Sequence, residues 1–139
     1  MYTVKQVSEI MGISIHTLRY YDKEGLFPGL TKRNKRRLFA VKDLHILYIV
    51  QCLRDTEMPI AEVREYVRLC YDGEETLDAR LAMIRKQEEK VRQDLEFLKK
   101  SLKTLKMKEE YYMARVEGKD ARKYLPNIEK KIREAGLAV

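Results

Sequence analysis

A chain of 139 residues with 37% charged side chains is too polar for one compact globule, so a small domain with a long, solvated helical appendage is expected. The net charge of +7 narrows the partner to a polyanion, either nucleic acid or an acidic membrane surface. Two cysteines, Cys52 and Cys70, are too few for a disulfide framework and too far apart for a zinc cluster. There is no signal-peptide pattern and no run of roughly 18 apolar residues that would span a membrane, so a cytoplasmic protein without cofactor or metal is expected.

In chain order, Thr3-Val4-Lys5-Gln6 fits a capping box. A helix is predicted from Val4 to Met11, with Val4, Val7, Ile10 and Met11 on one apolar stripe and Gly12 as a left-handed stop. Ser14 is a good N-cap for a second helix from Ile15 to Glu24, and two short helices joined by Gly-Ile-Ser make a helix-turn-helix. With Ile15, Leu18 and the body of one tyrosine packed inward, His16, Thr17, Arg19, Tyr20 and Lys23 face outward. Hydroxyls and cations on a second helix are what a major-groove reader presents to phosphates and base edges. Arg19 is the candidate base contact, because its fork matches the two acceptors of guanine. Tyr21 joins the DNA-contacting candidates through its hydroxyl, while half-buried rings with wet hydroxyls are the plainer explanation of both Tyr20 and Tyr21.

Gly25 ends the helix, Pro28-Gly29 turns the chain, and LTKRNKRRLF reads as a hairpin with its tip near Asn34. Lys32, Arg33, Lys35, Arg36 and Arg37 carry five positive charges, with no acid between Glu24 and Asp43. Such a run is ordinarily a solvated face. Directly after a recognition helix it reads instead as a wing gripping phosphates. Residues 1–71 are therefore expected to form a winged helix-turn-helix domain, with the helix pair at about 4–24 and the wing at about 30–39. A largely buried helix follows from Lys42 to Thr56, with Leu44, Leu47, Val50 and Leu53 in a stripe. Pro59 opens another, and Ile60, Val63, Tyr66, Val67 and Cys70 at helical spacing place Cys70 on a core face as a small hydrophobe.

Residues 72–76 are the expected linker, and 77–117 carry the strongest periodicity in the chain. Leu77, Leu81, Ile84, Glu88, Val91, Leu95, Leu98, Leu102, Leu105, Glu109, Tyr112 and Val116 advance by alternating fours and threes, the repeat of a coiled coil. At 1.5 Å per residue such a helix is roughly 60 Å long. Leu81, Ile84, Val91, Leu95, Leu98, Leu102, Leu105 and Tyr112 are the expected dimerisation residues. A parallel, in-register pair would oppose Glu88 to its own copy and Glu109 likewise, whereas antiparallel pairing avoids both clashes. The remaining tail, 118–139, reads as a turn around Pro126 and a short helix with Ile128, Ile132 and Ala135 on one side. It is too small to enclose a ligand pocket of several hundred cubic ångströms.

TVKQVSEIMGISIHTLRYYDKEGLFP, a basic wing, VKDLHILYIVQCLRDTEMPIAEVREYV and a long helix together resemble the MerR family of bacterial transcription regulators over about the first 116 residues. The resemblance implies a mainly α homodimer with antiparallel dimerisation helices. Its winged domains would bind a pseudo-palindromic promoter operator, and an inducing signal would bend and untwist the DNA for RNA polymerase. The chain departs from the family pattern at Lys35-Arg36, where Gly-Tyr is frequent, at Ala40 in place of a serine N-cap, and at Glu57 in a frequent glycine position. Metal-sensing relatives place cysteines beyond the coil, and none follows Cys70 here. IVQCLRDTEMPI and EEYYMARV are similar to the aldehyde- and electrophile-responsive subgroup, and by that resemblance Cys52 is the sensor, with Arg54 and His45 as candidates for activating its thiol. Two rival classes share parts of the pattern: a non-sensing architectural DNA-binding protein and a coiled-coil adaptor. No nucleophile–base set or phosphate-cradling loop suggests an enzyme.

Overall fold

Thr3 opens the fold in the computed structural model, which describes residues 1–139. Its hydroxyl accepts the Gln6 backbone N–H at 3.3 Å, and the Gln6 side-chain oxygen accepts the Thr3 N–H at 2.9 Å. Helix α1 (Val4–Met11) starts from this box and stops at Gly12, whose φ of 66° only glycine adopts without steric cost. Ser14 then caps α2 (Ile15–Lys23) by accepting the Thr17 N–H at 3.0 Å. The hairpin forms as strands β2 (Thr31–Arg33) and β3 (Arg36–Phe39). A third strand, β1 (Tyr2–Thr3), adds to the far side of β3, giving the antiparallel order β1-β3-β2. Two residues are too few to display an alternation, so β1 left no mark in the sequence.

Val7, Leu18, Leu26, Phe39, Leu47, Val50, Met58, Val63 and Val67 are almost fully buried, and the Phe27 and Phe39 rings meet edge to face at 5.2 Å. Two residues expected in this core lie outside it. Ile10 is 55% exposed because it falls on the opposite side of Val7 from Val4 and Met11, and an eight-residue helix offers the core only a narrow stripe. Ile15 is exposed as well, at the first position of α2, where no other element covers it.

Helix α3 (Val41–Asp55) begins without a capping hydroxyl. The buried carboxylate of Asp43 accepts the Ala40 N–H at 2.7 Å, and its other oxygen accepts the Tyr71 hydroxyl at 2.6 Å. The Tyr71 ring lies 2.8 Å from where a Cβ on Gly29 would stand, so the loop entering the wing is held against the end of α4 (Ile60–Asp72) by a glycine-only approach. The expected linker is short and bonded: after Gly73 comes one 3-10 turn, Glu74–Thr76, and the Thr76 hydroxyl donates to the carbonyls of Leu69 at 2.6 Å and Gly73 at 2.7 Å. Helix α5 (Leu77–Val116) follows at once.

The chain forms two compact units, Met1–Val91 and Arg92–Val139. The first takes in the opening turns of α5. Met83 and Ile84 pack against its core, and the buried Gln87 donates to the backbone oxygen of Thr56 at 3.1 Å and to its hydroxyl at 2.9 Å. In the second unit, Gly118 (φ 72°) closes α5 with bonds from its own N–H to Arg115 and from the Lys119 N–H to Ala114. A 3-10 turn (Arg122–Tyr124) and α6 (Ile128–Glu134), capped by Asn127, complete it around the buried Ala121. No helix is long and apolar enough to cross a membrane.

Candidate nucleic-acid interface and thiol groove

Helix α2 turns His16, Arg19, Tyr20 and Lys23 to solvent, with Thr17 half-buried and its hydroxyl bonded to that of Ser14 at 2.9 Å. Leu18 and Tyr21 anchor the opposite face at 2% and 6% exposure. Tyr21 lies in the core: one turn from Leu18, its ring is drawn inward, and burial raises its pKa against the moderating charge of the Arg54 guanidinium. From α4, Arg64 fixes the C-terminal end of α2 by bonding the Glu24 carbonyl and pairing with its carboxylate at 3.0 Å.

The wing presents Lys32, Arg33, Lys35 and Arg36 to solvent. Its two-residue turn, Asn34-Lys35, takes positive φ at both positions (48° and 64°), the geometry of a tight hairpin turn in which a lysine is strained. Arg33 stands directly across the ladder from Arg36, and Lys32 from Arg37. Like charges facing each other weaken a hairpin, and the strained turn adds to that cost, so neither feature serves the stability of the wing. Arg37, also expected at the phosphates, is paired within the domain. Its guanidinium lies 2.7 Å from one Asp22 oxygen and donates to the other at 3.2 Å, tying the wing to α2. Strand alternation is the signal that separates it from Arg36, since Arg37 shares the face of the buried Phe39 two residues later.

Cys52 is exposed and opens onto a groove of about 340 Å³ between α3 and the start of α5, lined by Ile49, Leu53, Thr56, Ile84, Gln87, Glu88 and Val91. Sequence reasoning looked for a pocket only in the tail and missed this one, because it arises where two distant helices pack. Arg54, a candidate for activating the thiol, donates to the Met58 carbonyl at 2.8 Å. His45 is exposed about two helical turns before Cys52. Cys70 is partly buried against the core beside Tyr66, whose pKa burial and that thiol push up to about 12.

Along α5, Leu81, Val91, Leu95, Leu98, Leu102, Leu105 and Tyr112 are exposed, between 37% and 63%. Ile84 is the exception among the expected seam residues, since it is committed to the core of the first unit and to the wall of the groove. A long apolar row, interrupted by Glu88 and Glu109, on an otherwise charged helix is an unsatisfied surface.

Residues 2–70 match the profile described as MerR HTH family regulatory protein. An uncharacterized HTH-type transcriptional regulator of Haemophilus influenzae is 35% identical over 112 residues, covering 80% of this chain and 83% of that protein. Among solved structures, HiNmlR, a MerR family regulator lacking the sensor domain and bound to promoter DNA, superposes with a TM-score of 0.68 at 34% identity, over 85% of this chain and 95% of that one. A MerR family transcriptional regulator from Bacillus thuringiensis superposes at 0.67 with 35% identity, over 77% and 95% of the two chains.

Proposed function

The chain belongs to the MerR family of DNA-binding transcription regulators, and from that premise we propose that it acts as a homodimer on a pseudo-palindromic operator, changing the conformation of promoter DNA for RNA polymerase in response to thiol-reactive electrophiles. The observation that carries the DNA-binding part is the strained, like-charged wing beside the outward cations of α2. His16, Thr17, Arg19, Tyr20 and Lys23 meet the groove, and Lys32, Arg33, Lys35 and Arg36 neutralise phosphates beside it.

Pairing of two α5 helices covers the exposed seam. In the antiparallel register that sets Leu95 against the partner's Leu98, Val91 meets the partner's Leu102, Glu88 the partner's Leu105 and Leu81 the partner's Tyr112. Each seam glutamate then has a cation at its edge: Glu88 beside the partner's Lys106, and Glu109 beside the partner's Arg85. A parallel, in-register pair instead opposes Glu88 to its own copy. In a Cys52→Ala/Cys70→Ala background, Leu81→Cys mixed with Tyr112→Cys should crosslink across subunits, and neither should link to itself. Self-linking of either variant would overturn this register.

Sensing falls to Cys52, the exposed thiol on the apolar groove, a reading supported by its position and by the likeness to HiNmlR, described as lacking the sensor domain. After losing its proton to water, the thiolate adds to the carbonyl carbon of an aldehyde, and the carbonyl oxygen takes a proton back, so the adduct forms with no leaving group and no change of oxidation state. The added bulk shifts the packing of α3 on α5. Cys52→Ala should keep operator affinity within about twofold of the parent and abolish aldehyde induction in a promoter-fusion assay. Full induction in that variant would remove Cys52 from the mechanism.

A further inference from the structure

Asp22 is an acid on a helix whose outward face is otherwise cationic, between Arg19 and Lys23. An unpaired carboxylate there would repel a phosphate backbone. It is instead engaged from two directions by one guanidinium: Arg37 places Nη2 2.7 Å from Oδ1 and donates from Nε to Oδ2 at 3.2 Å. The side chains are 24% and 35% exposed, so the pair is shielded but not sealed from solvent. Arg37 reaches it because β3 turns that side chain to the same face as Phe39, while Arg36 lies exposed on the other. Leu18, Phe27 and Phe39 line the same small cavity of about 30 Å³ as the pair, so there is little free space on that side.

We propose that Asp22 is a selectivity-determining positioning residue, which holds Arg37 away from the DNA backbone and fixes the wing to the recognition helix at one angle. This rests on the reading of α2 and the wing as the DNA-contacting surface. With Asp22 in place, the wing contributes the phosphate contacts of Lys32, Arg33, Lys35 and Arg36, and its reach is set by α2. Without the carboxylate, Arg37 is released as a further mobile cation. Binding to any sequence then strengthens, because phosphate neutralisation carries no base information, and the preference for the operator falls.

The test measures dissociation constants for a duplex of about 30 base pairs from the chain's own promoter and for a shuffled duplex of the same composition, between about 50 and 200 mM salt. Each phosphate neutralised adds about 0.9 to the slope of log affinity against log salt. Asp22→Asn should steepen the slope by about 0.9 on both duplexes and lower the promoter-to-shuffled ratio several-fold. Arg36→Gln should lose about 0.9, Arg37→Gln, which bares the Asp22 carboxylate to the phosphates, should weaken binding to both duplexes, and Asp22→Asn/Arg37→Gln should return to the parent slope. An unchanged slope in Asp22→Asn, or a double variant that keeps the steeper slope, would overturn the proposal while a shallower slope in Arg36→Gln upheld the wing. Unchanged slopes in Asp22→Asn and Arg36→Gln together would remove the wing as a phosphate contact, and the role of Asp22 with it.

Discussion

Lys35 carries the conflict between stability and binding on a single residue. Its φ of 64° suits glycine, and the side chain that imposes the strain also supplies a charge at the tip of the wing. Lys35→Gly should raise the unfolding free energy by about 1 kcal/mol, less the entropy that glycine adds to the unfolded chain. The same variant should bind DNA with a shallower salt dependence, so that melting and binding move in opposite directions. Tyr71 has the contrasting role of a structural phenol. Burial, then its hydrogen bond to Asp43, raise its pKa, and Tyr66 is pushed up to about 12. The folded state keeps protons that the unfolded chain releases above about pH 10. The stability these phenols supply is therefore complete below that pH and is lost as the pH rises toward their native values. Tyr71→Phe leaves a buried Asp43 oxygen without its donor and should cost about 1–3 kcal/mol near neutral pH, while flattening the alkaline loss of stability in urea midpoints taken at several pH values.

Elements differ in how openly the sequence declared them. The helix pair was legible because its boundaries rest on local chemistry, Thr3 with Gln6, Gly12 and Ser14, which acts over three or four residues wherever the chain is. The wing was legible for the same reason, in the turn at Asn34. Inward and outward placement was least legible where a third element decided it: Arg37 is paired with Asp22 and Ile84 packs on the core beneath it, while Tyr21 is the tyrosine that packs inward beside Leu18. The junction of α3 with α5 belongs to the same class. Gln87 sits 31 residues from Thr56, and nothing in the heptad pattern marks it as the polar side chain that fastens α5 to the end of α3. Gln87→Leu should lower stability by about 1–2 kcal/mol and speed amide exchange at Glu57 and Met58. Thr56→Ser, which keeps both acceptors, should stay within about 0.5 kcal/mol of the parent. Equal exchange rates in the parent and Gln87→Leu would show that the latch holds nothing in place.

At the scale of the whole molecule, the exposed row from Leu81 to Tyr112 and the basic wing demand different partners, a second apolar helix and a polyanion. The proposed assembly satisfies both: two chains joined through α5, each placing a winged domain on the same duplex. The net charge of +7 per chain calls for a polyanion but distinguishes neither its kind, nor stoichiometry, nor site, which is why composition alone stopped at a polyanionic partner. Sedimentation equilibrium of the purified chain at micromolar concentration, alone and with a duplex from its own promoter at moderate salt, tests this most directly. A dimer without DNA and two chains per duplex with it are expected. A monomer that stays monomeric, or one chain per duplex, would contradict the paired arrangement.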